Sequence, residues 1–219
     1  MGTIGDNVHR ILKEIPKHVT LVAAAKSRSA AEISEAIDAG ITAVGENYLQ
    51  ESRAVIGEIG DRANWHFIGH VQKNKVKHIV PLFDMIETVD SAELAIVIDQ
   101  HALKHGKIMP VLIEVNIAHE EQKSGVMPEH VKALIDEIRT MPNIRVQGLM
   151  TMGPFLDDPE GLRPYFREIR ALFDEISSLT IPHVEMKHLS MGMSDSYQIA
   201  LEEGATMVRI GTMIFGPRP

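Results

Sequence analysis

Lys26 closes the run Val19-Thr-Leu-Val-Ala-Ala-Ala-Lys26, in which seven uncharged residues are followed by an amine. Such a run reads as a buried strand that delivers the amine to its carboxyl end. An ammonium is costly to bury, so a lysine there either reaches out to water or gives up its proton. A neutral amine is a nucleophile that can form a Schiff base with a carbonyl compound. The local sequence also admits a plainer reading, a charged residue marking where a strand meets solvent. The rest of the chain decides between them.

Other chemistries find less support. With no cysteine in 219 residues, disulfides, thiolate metal sites and cysteine nucleophiles are excluded. The eleven histidines include no His-Glu-x-x-His or comparable spacing, so no metal site is expected. His66 and His70 are four apart, but on and just after a predicted strand, where that spacing does not pair side chains. The stretch 119–121 reads as a solvated loop, and no Gly-x-Ser-x-Gly elbow is present. A formal net charge of −8 argues against a nucleic-acid partner. Lys73, Lys75, Lys77 and His78 read as a solvated helix face that could receive one anion. Met1 to Arg10 lack a secretory pattern, and no stretch approaches the ~18 apolar residues of a membrane span. A cytoplasmic protein without a membrane partner is the expectation.

Apolar runs at 19–25, 42–45, 65–69, 85–89, 110–115, 146–150, 183–189 and 207–210 read as short parallel strands. Segments of helical period lie between them at 30–39, 48–58, 74–81, 92–105, 129–141, 159–178 and 194–203. Val131, Leu134, Ile135 and Ile138 illustrate the spacing; Ser91 and Pro128 look like helix starts. The alternation predicts one (β/α)8 TIM barrel over 1–219, with an extra N-terminal helix at 4–15. An open doubly wound sheet is the runner-up, but it lacks a Gly-x-Gly-x-x-Gly or Walker-type loop.

A parallel barrel gathers its chemistry at the carboxyl ends of its strands. Those ends carry Lys26, Glu46-Asn47, His70, Thr88 with Asp90, Asn116, Thr151, Ser190 and Arg209. The last two segments, Met193-Ser194-Asp195 opening a predicted helix and Gly211-Thr212, have the small residues and hydroxyls of a phosphate grip. Barrels often seat a phosphate at the loops after strands seven and eight. Most methionines read as barrel filling, while Met150, Met191 and Met193 at strand ends could wall a flat ligand.

Lysine on the first strand and phosphate donors after the last two are the layout of a barrel holding pyridoxal 5′-phosphate. The sequence closely resembles the pyridoxal phosphate homeostasis protein family, also called the proline-synthase co-transcribed family, whose barrel is like the N-terminal part of alanine racemases. The matching stretches are 21–26 (LVAAAK), 45–51 (GENYLQE), 65–75 (WHFIGHVQKNK), 114–117 (EVNI), 123–126 (KSGV) and 189–216 (LSMGMSDSYQIALEEGATMVRIGTMIFG). The resemblance implies a covalent Schiff base on Lys26 and a phosphate received by Ser194, Gly211 and Thr212. It further implies Arg209 facing the pyridine nitrogen, with Asn47 and Met150 lining the pocket and His70 nearby. Departures fall at Ala25 and at 69–72, where Gly-His-Val-Gln replaces the relatives' Gly-x-Leu-Gln.

An acidic partner would protonate the pyridine nitrogen and make the ring a strong electron sink. Arginine donates only and weakens that sink. Alanine racemases add a second domain whose tyrosine works on the opposite face. This chain ends at Pro219, just after the barrel's last strand, and Tyr48, Tyr165 and Tyr197 all fall in predicted helices. The expectation is therefore a monomeric protein that binds, buffers and delivers pyridoxal phosphate to apo-enzymes, with no catalytic residue assigned. Alternatives are a racemase of low activity working through Lys26 and a phosphosugar-binding barrel with an aldolase-type amine.

Overall fold

A computed structural model of the chain describes residues 2–120 and 122–217. The two ends of the domain expected over 1–219, and Glu121 of the loop expected at 119–121, lie outside the described residues. Eight parallel strands close on themselves in chain order: β1 (Thr20–Ala24), β2 (Ala43–Glu46), β3 (Asn64–Phe67), β4 (Met85–Val89), β5 (Met109–Glu114), β6 (Ile144–Met150), β7 (Val184–Ser190) and β8 (Met207–Ile210). β8 returns to β1 with Val22 opposite Arg209 and Ala23 opposite Ile210. The fold is the (β/α)8 barrel that the alternation predicts.

The helices are α1 (Ile4–Glu14), α2 (Ala30–Asp38), α3 (Leu49–Ile59), α4 (Val76–Ile79), α5 (Ala92–Lys104), α6 (Val131–Ile138), α7 (Arg163–Ser177), α8 (Tyr197–Glu202) and α9 (Thr212–Phe215). Thr3 with Asp6, and Ser29 with Glu32, form reciprocal capping boxes that fix the starts of α1 and α2. Several helices are shorter than their apolar period suggests. The segment 129–141 begins with a 3-10 turn over Pro128–His130, and 159–178 begins with one over Pro159–Leu162. Proline at an opening position favours such a tight entry. The segment 74–81 splits into a 3-10 turn, Lys73–Lys75, and the single turn α4.

Two corrections bear on the site. Ser194 does not open a helix. Ser196 and Tyr197 both donate backbone N–H bonds to the Met193 carbonyl, closing a turn, and α8 starts only at Tyr197. Tyr48 is not helical either; it has φ −127° and ψ 118° and immediately precedes α3.

Strand alternation sorts the side chains into two shells. Val22, Ala43, Met85, Leu112, Met150 and Met207, one from each of six strands, form a small apolar plug. A much larger cluster joins the strands' outer faces to the helices. Two residues beyond the plug, and so on the same inner face, come Glu87, Glu114 and Arg209. The barrel thus passes from an apolar floor to a polar layer toward its carboxyl end.

Candidate functional site

The polar layer is built around Arg209, which is only 3% exposed. Its Nη1 donates to Ser190 Oγ, and its Nη2 donates to the Thr151 carbonyl at 2.8 Å and meets Met152 Sδ at 3.6 Å. Ser190 Oγ donates in turn to Glu87 Oε2 at 2.7 Å, while Glu87 Oε1 lies 2.7 Å from His66 Nδ1. Arg209 Nη1 is 4.0 Å from the same Glu87 carboxylate. Burial pushes the Glu87 carboxyl up, but the His66 contact, the Arg209 charge and the Ser190 bond together hold it below its ordinary value. For Arg209 burial prevails over the attraction of Glu87 and Glu114 and draws its pKa below the usual guanidinium value.

Lys26 stands two residues beyond β1, partly buried, with Nζ 4.7 Å from the centre of the Tyr48 ring. Ser27 follows in the left-handed region at φ 61°, and its N–H donates to Glu51 Oε2 at 3.1 Å. The β2 end is pressed against the β3 loop: a Cβ at Gly69 would lie 2.4 Å from the Asn47 carbonyl oxygen. The Thr88 hydroxyl donates to the Gly69 carbonyl at 2.6 Å and holds that loop from β4. Asn47 is thereby fixed beside Tyr48 and Lys26. His70 is exposed and reaches Ser124 at 3.3 Å.

Ser194, Gly211 and Thr212 come together across the β7 and β8 loops. Ser194 Oγ accepts from the Met213 N–H at 3.4 Å. A Cβ at Gly211 would stand 3.0 Å from the Ala24 carbonyl, so glycine lets β8's end close on β1's, two residues from Lys26. Met150 is fully buried in the apolar plug, in register with Glu114 of β5 and Ser190 of β7. The side chain after β6 that touches Arg209 is Met152, which is 43% exposed.

Two clefts flank this constellation. One of about 640 Å³ runs between Asn47–Glu51 and the β3 loop, lined by Tyr48, Phe67, His70, Gln72 and Lys75. The other, about 350 Å³, lies between the β5 and β6 loops, with Glu114, Lys123, Thr151, Met152 and Met193 among its walls. Glu46 and Glu114 each bury one oxygen without a partner. Burial first, then the charge of Asp90, pushes the Glu114 carboxyl up to about 7, against an opposing pull from Arg209. Reading strand ends missed Glu87, which sits inside β4, and left Glu114 without a role, because the apolar run carries the expected β5 on to Val115, one residue past its observed end. The signal was available: a carboxylate two residues after Met85, or after Leu112, on the same face of an apolar strand.

The alanine racemase N-terminal domain family matches this sequence over residues 1–219. The pyridoxal phosphate homeostasis protein of Aquifex aeolicus is 43% identical over 199 residues, covering 90% of this chain and 86% of the relative. The chain belongs to the pyridoxal phosphate homeostasis protein family. Among solved structures similar to this family member is PipY of Synechococcus elongatus PCC7942 with PLP bound. It is 31% identical, with a TM-score of 0.89, and 97% of this chain matches 100% of PipY. Alanine racemase of Clostridium difficile 630, at 16% identity and TM-score 0.80, covers 99% of this chain and 60% of its own, and shows the shared barrel fold alone. Among the described residues no helix is long and apolar enough to cross a membrane, and no group of three or more acidic or histidine side chains could hold a metal ion.

Proposed function

We propose that this protein binds pyridoxal 5′-phosphate at the barrel mouth and serves the intracellular homeostasis of that cofactor, buffering it and passing it to apo-enzymes. The reading extends to a single monomeric barrel over 1–219 working in the cytoplasm. The observation that carries it is the placement of a buried Arg209 on β8, paired with β1, whose end presents Lys26. PipY, similar along its whole length, has been solved with PLP bound.

The residues present fit the group. Lys26 would hold the aldehyde carbon covalently, Ser194, Gly211 and Thr212 would take the phosphate, and Asn47 would line the ring. The close approach of Gly211 to Ala24 leaves little room for a side chain there, which suits a backbone cradle for an anion. Arg209 would donate to the pyridine nitrogen; a guanidinium cannot accept, so that nitrogen stays unprotonated. When bound, the cofactor supplies an electron sink, weakened by such a partner. Holding the group, more than driving a reaction with it, is what these side chains suit.

The test is the visible spectrum of purified protein incubated with pyridoxal 5′-phosphate, followed by borohydride reduction and mass spectrometry. The parent should turn yellow and gain a fixed adduct on Lys26, and Lys26→Ala should gain none. An adduct that persists unchanged in Lys26→Ala would sink the assignment. Transfer is read by reactivation of an apo-enzyme that requires the cofactor. A weak racemase is the second reading, favoured by one observation, the Tyr48 ring against Lys26. Tyr48 is 48% exposed, however, which does not suit a fixed proton donor. Lys26-dependent exchange of the α-hydrogen of free amino acids would decide for it.

A further inference from the structure

We propose that Glu87 is the positioning residue for Arg209, acting through Ser190 and anchored at its other end by His66. The inference rests on the proposed cofactor reading and assigns the buried carboxylate a task within it.

Four strands contribute to one continuous chain of contacts: His66 from β3, Glu87 from β4, Ser190 from β7 and Arg209 from β8. Both oxygens of Glu87 are engaged, one by His66 and one by Ser190, so the carboxylate cannot turn. Ser190 is fully buried and passes that orientation to Nη1 of the guanidinium. The Thr151 carbonyl fixes Nη2, which leaves Nε outside all of these contacts. A long flexible cation is thereby confined to one pose.

The neighbouring acid makes the assignment specific. Glu114 is also near enough to feel the Arg209 charge, but one of its buried oxygens has no partner. Glu114 therefore supplies field without geometry, whereas Glu87 supplies both. A fully buried carboxylate with no route to solvent is an expensive way to neutralise an arginine. Its use here is explained if the direction of the guanidinium matters, as it does for a donor aimed at one ring nitrogen.

Glu87→Gln keeps the shape and removes the charge. Pyridoxal 5′-phosphate should bind this variant at least tenfold more weakly and with a displaced visible band, while inorganic phosphate, which has no ring, binds as it does to the parent. Glu87→Asp, which restores the charge, should recover part of the affinity and move the band back. Unchanged cofactor affinity and band in a folded Glu87→Gln would overturn the proposal, as would an equal loss for inorganic phosphate. Ser190→Ala, which cuts the link and leaves Glu87 in place, gives the same readings should Glu87→Gln fail to fold. The side-chain ¹⁵N resonances of Arg209 in cofactor-free protein separate this idea from the cofactor reading. Restricted guanidinium rotation in the parent that is released in Ser190→Ala supports the positioning role even if the cofactor never binds. Identical Arg209 signals in both proteins refute it.

Discussion

Glu46 shows how a single carboxyl can set the pH response of the barrel. It is 1% exposed at the end of β2, with one oxygen unpartnered. Burial, then the charge of Glu51, pushes it from an ordinary 4.5 up to about 7, while the Asn47 backbone pulls the other way. Between those two values the folded protein keeps a proton that the unfolded chain has released. Stability must therefore fall as pH rises through that window, and below it the penalty is absent. Glu46→Gln should resist urea better than the parent at pH 8, by ~1–3 kcal/mol, with the gap closing at pH 4. Equal gaps at both pH values would show that charge is not the cause. Residues of this kind mark the limit of sequence reading. Lys26 was legible because it breaks an apolar run at its end, where chemistry is expected. Glu87 lies within a strand, and only the closure of the barrel brings it to Ser190 and Arg209.

At the scale of elements, the apolar runs match the strands to within two residues because each strand is a short apolar run between punctuated loops. Helix ends are less legible in the sequence. An apolar period continues through a 3-10 turn, as over Pro128–His130 and Pro159–Leu162, and α9 is too short to show any period. Contacts between loops were not legible at all, and Gly69 is the clearest case. The sequence places Gly69 at the end of a strand run and Gly57 in a helical segment, but nothing local shows that a Cβ at Gly69 would strike the Asn47 carbonyl, whereas at Gly57 it would meet nothing. Gly69→Ala should cost about 1–3 kcal/mol by overpacking, and should weaken pyridoxal 5′-phosphate binding by displacing Asn47 and Tyr48. Gly57→Ala, in the last turn of α3, should instead stabilise by up to about 0.5–1 kcal/mol and leave binding alone. Urea titration and absorbance titration on both variants check the pair; equal effects would mean that the loop contact is not what holds Asn47.

Across the whole molecule, the first helix joins the two ends of the barrel's chain order. α1 buries Val8 and Ile11 completely, and Asn7 Nδ2 donates to the Ile214 carbonyl of α9 at 3.0 Å. At its far end Glu14 accepts from the Tyr197 hydroxyl of α8. From the β1 loop, Arg28 donates to the Gly216 and Pro217 carbonyls at 2.6 and 2.8 Å. The extra N-terminal helix therefore braces α8, whose preceding loop carries Ser194, and α9, which opens at Gly211 and Thr212. Ile11→Ala should cost about 2–5 kcal/mol through the cavity it leaves. It should also loosen the phosphate end of the site: pyridoxal 5′-phosphate should dissociate faster from the folded variant while the Lys26 adduct still forms. Stopped-flow release measured well below the melting transition isolates that effect from global unfolding. Ile138→Ala on α6, equally buried but on the other side of the barrel, is the control. If both variants release the cofactor at the parent rate, α1 stabilises the barrel without bracing the site.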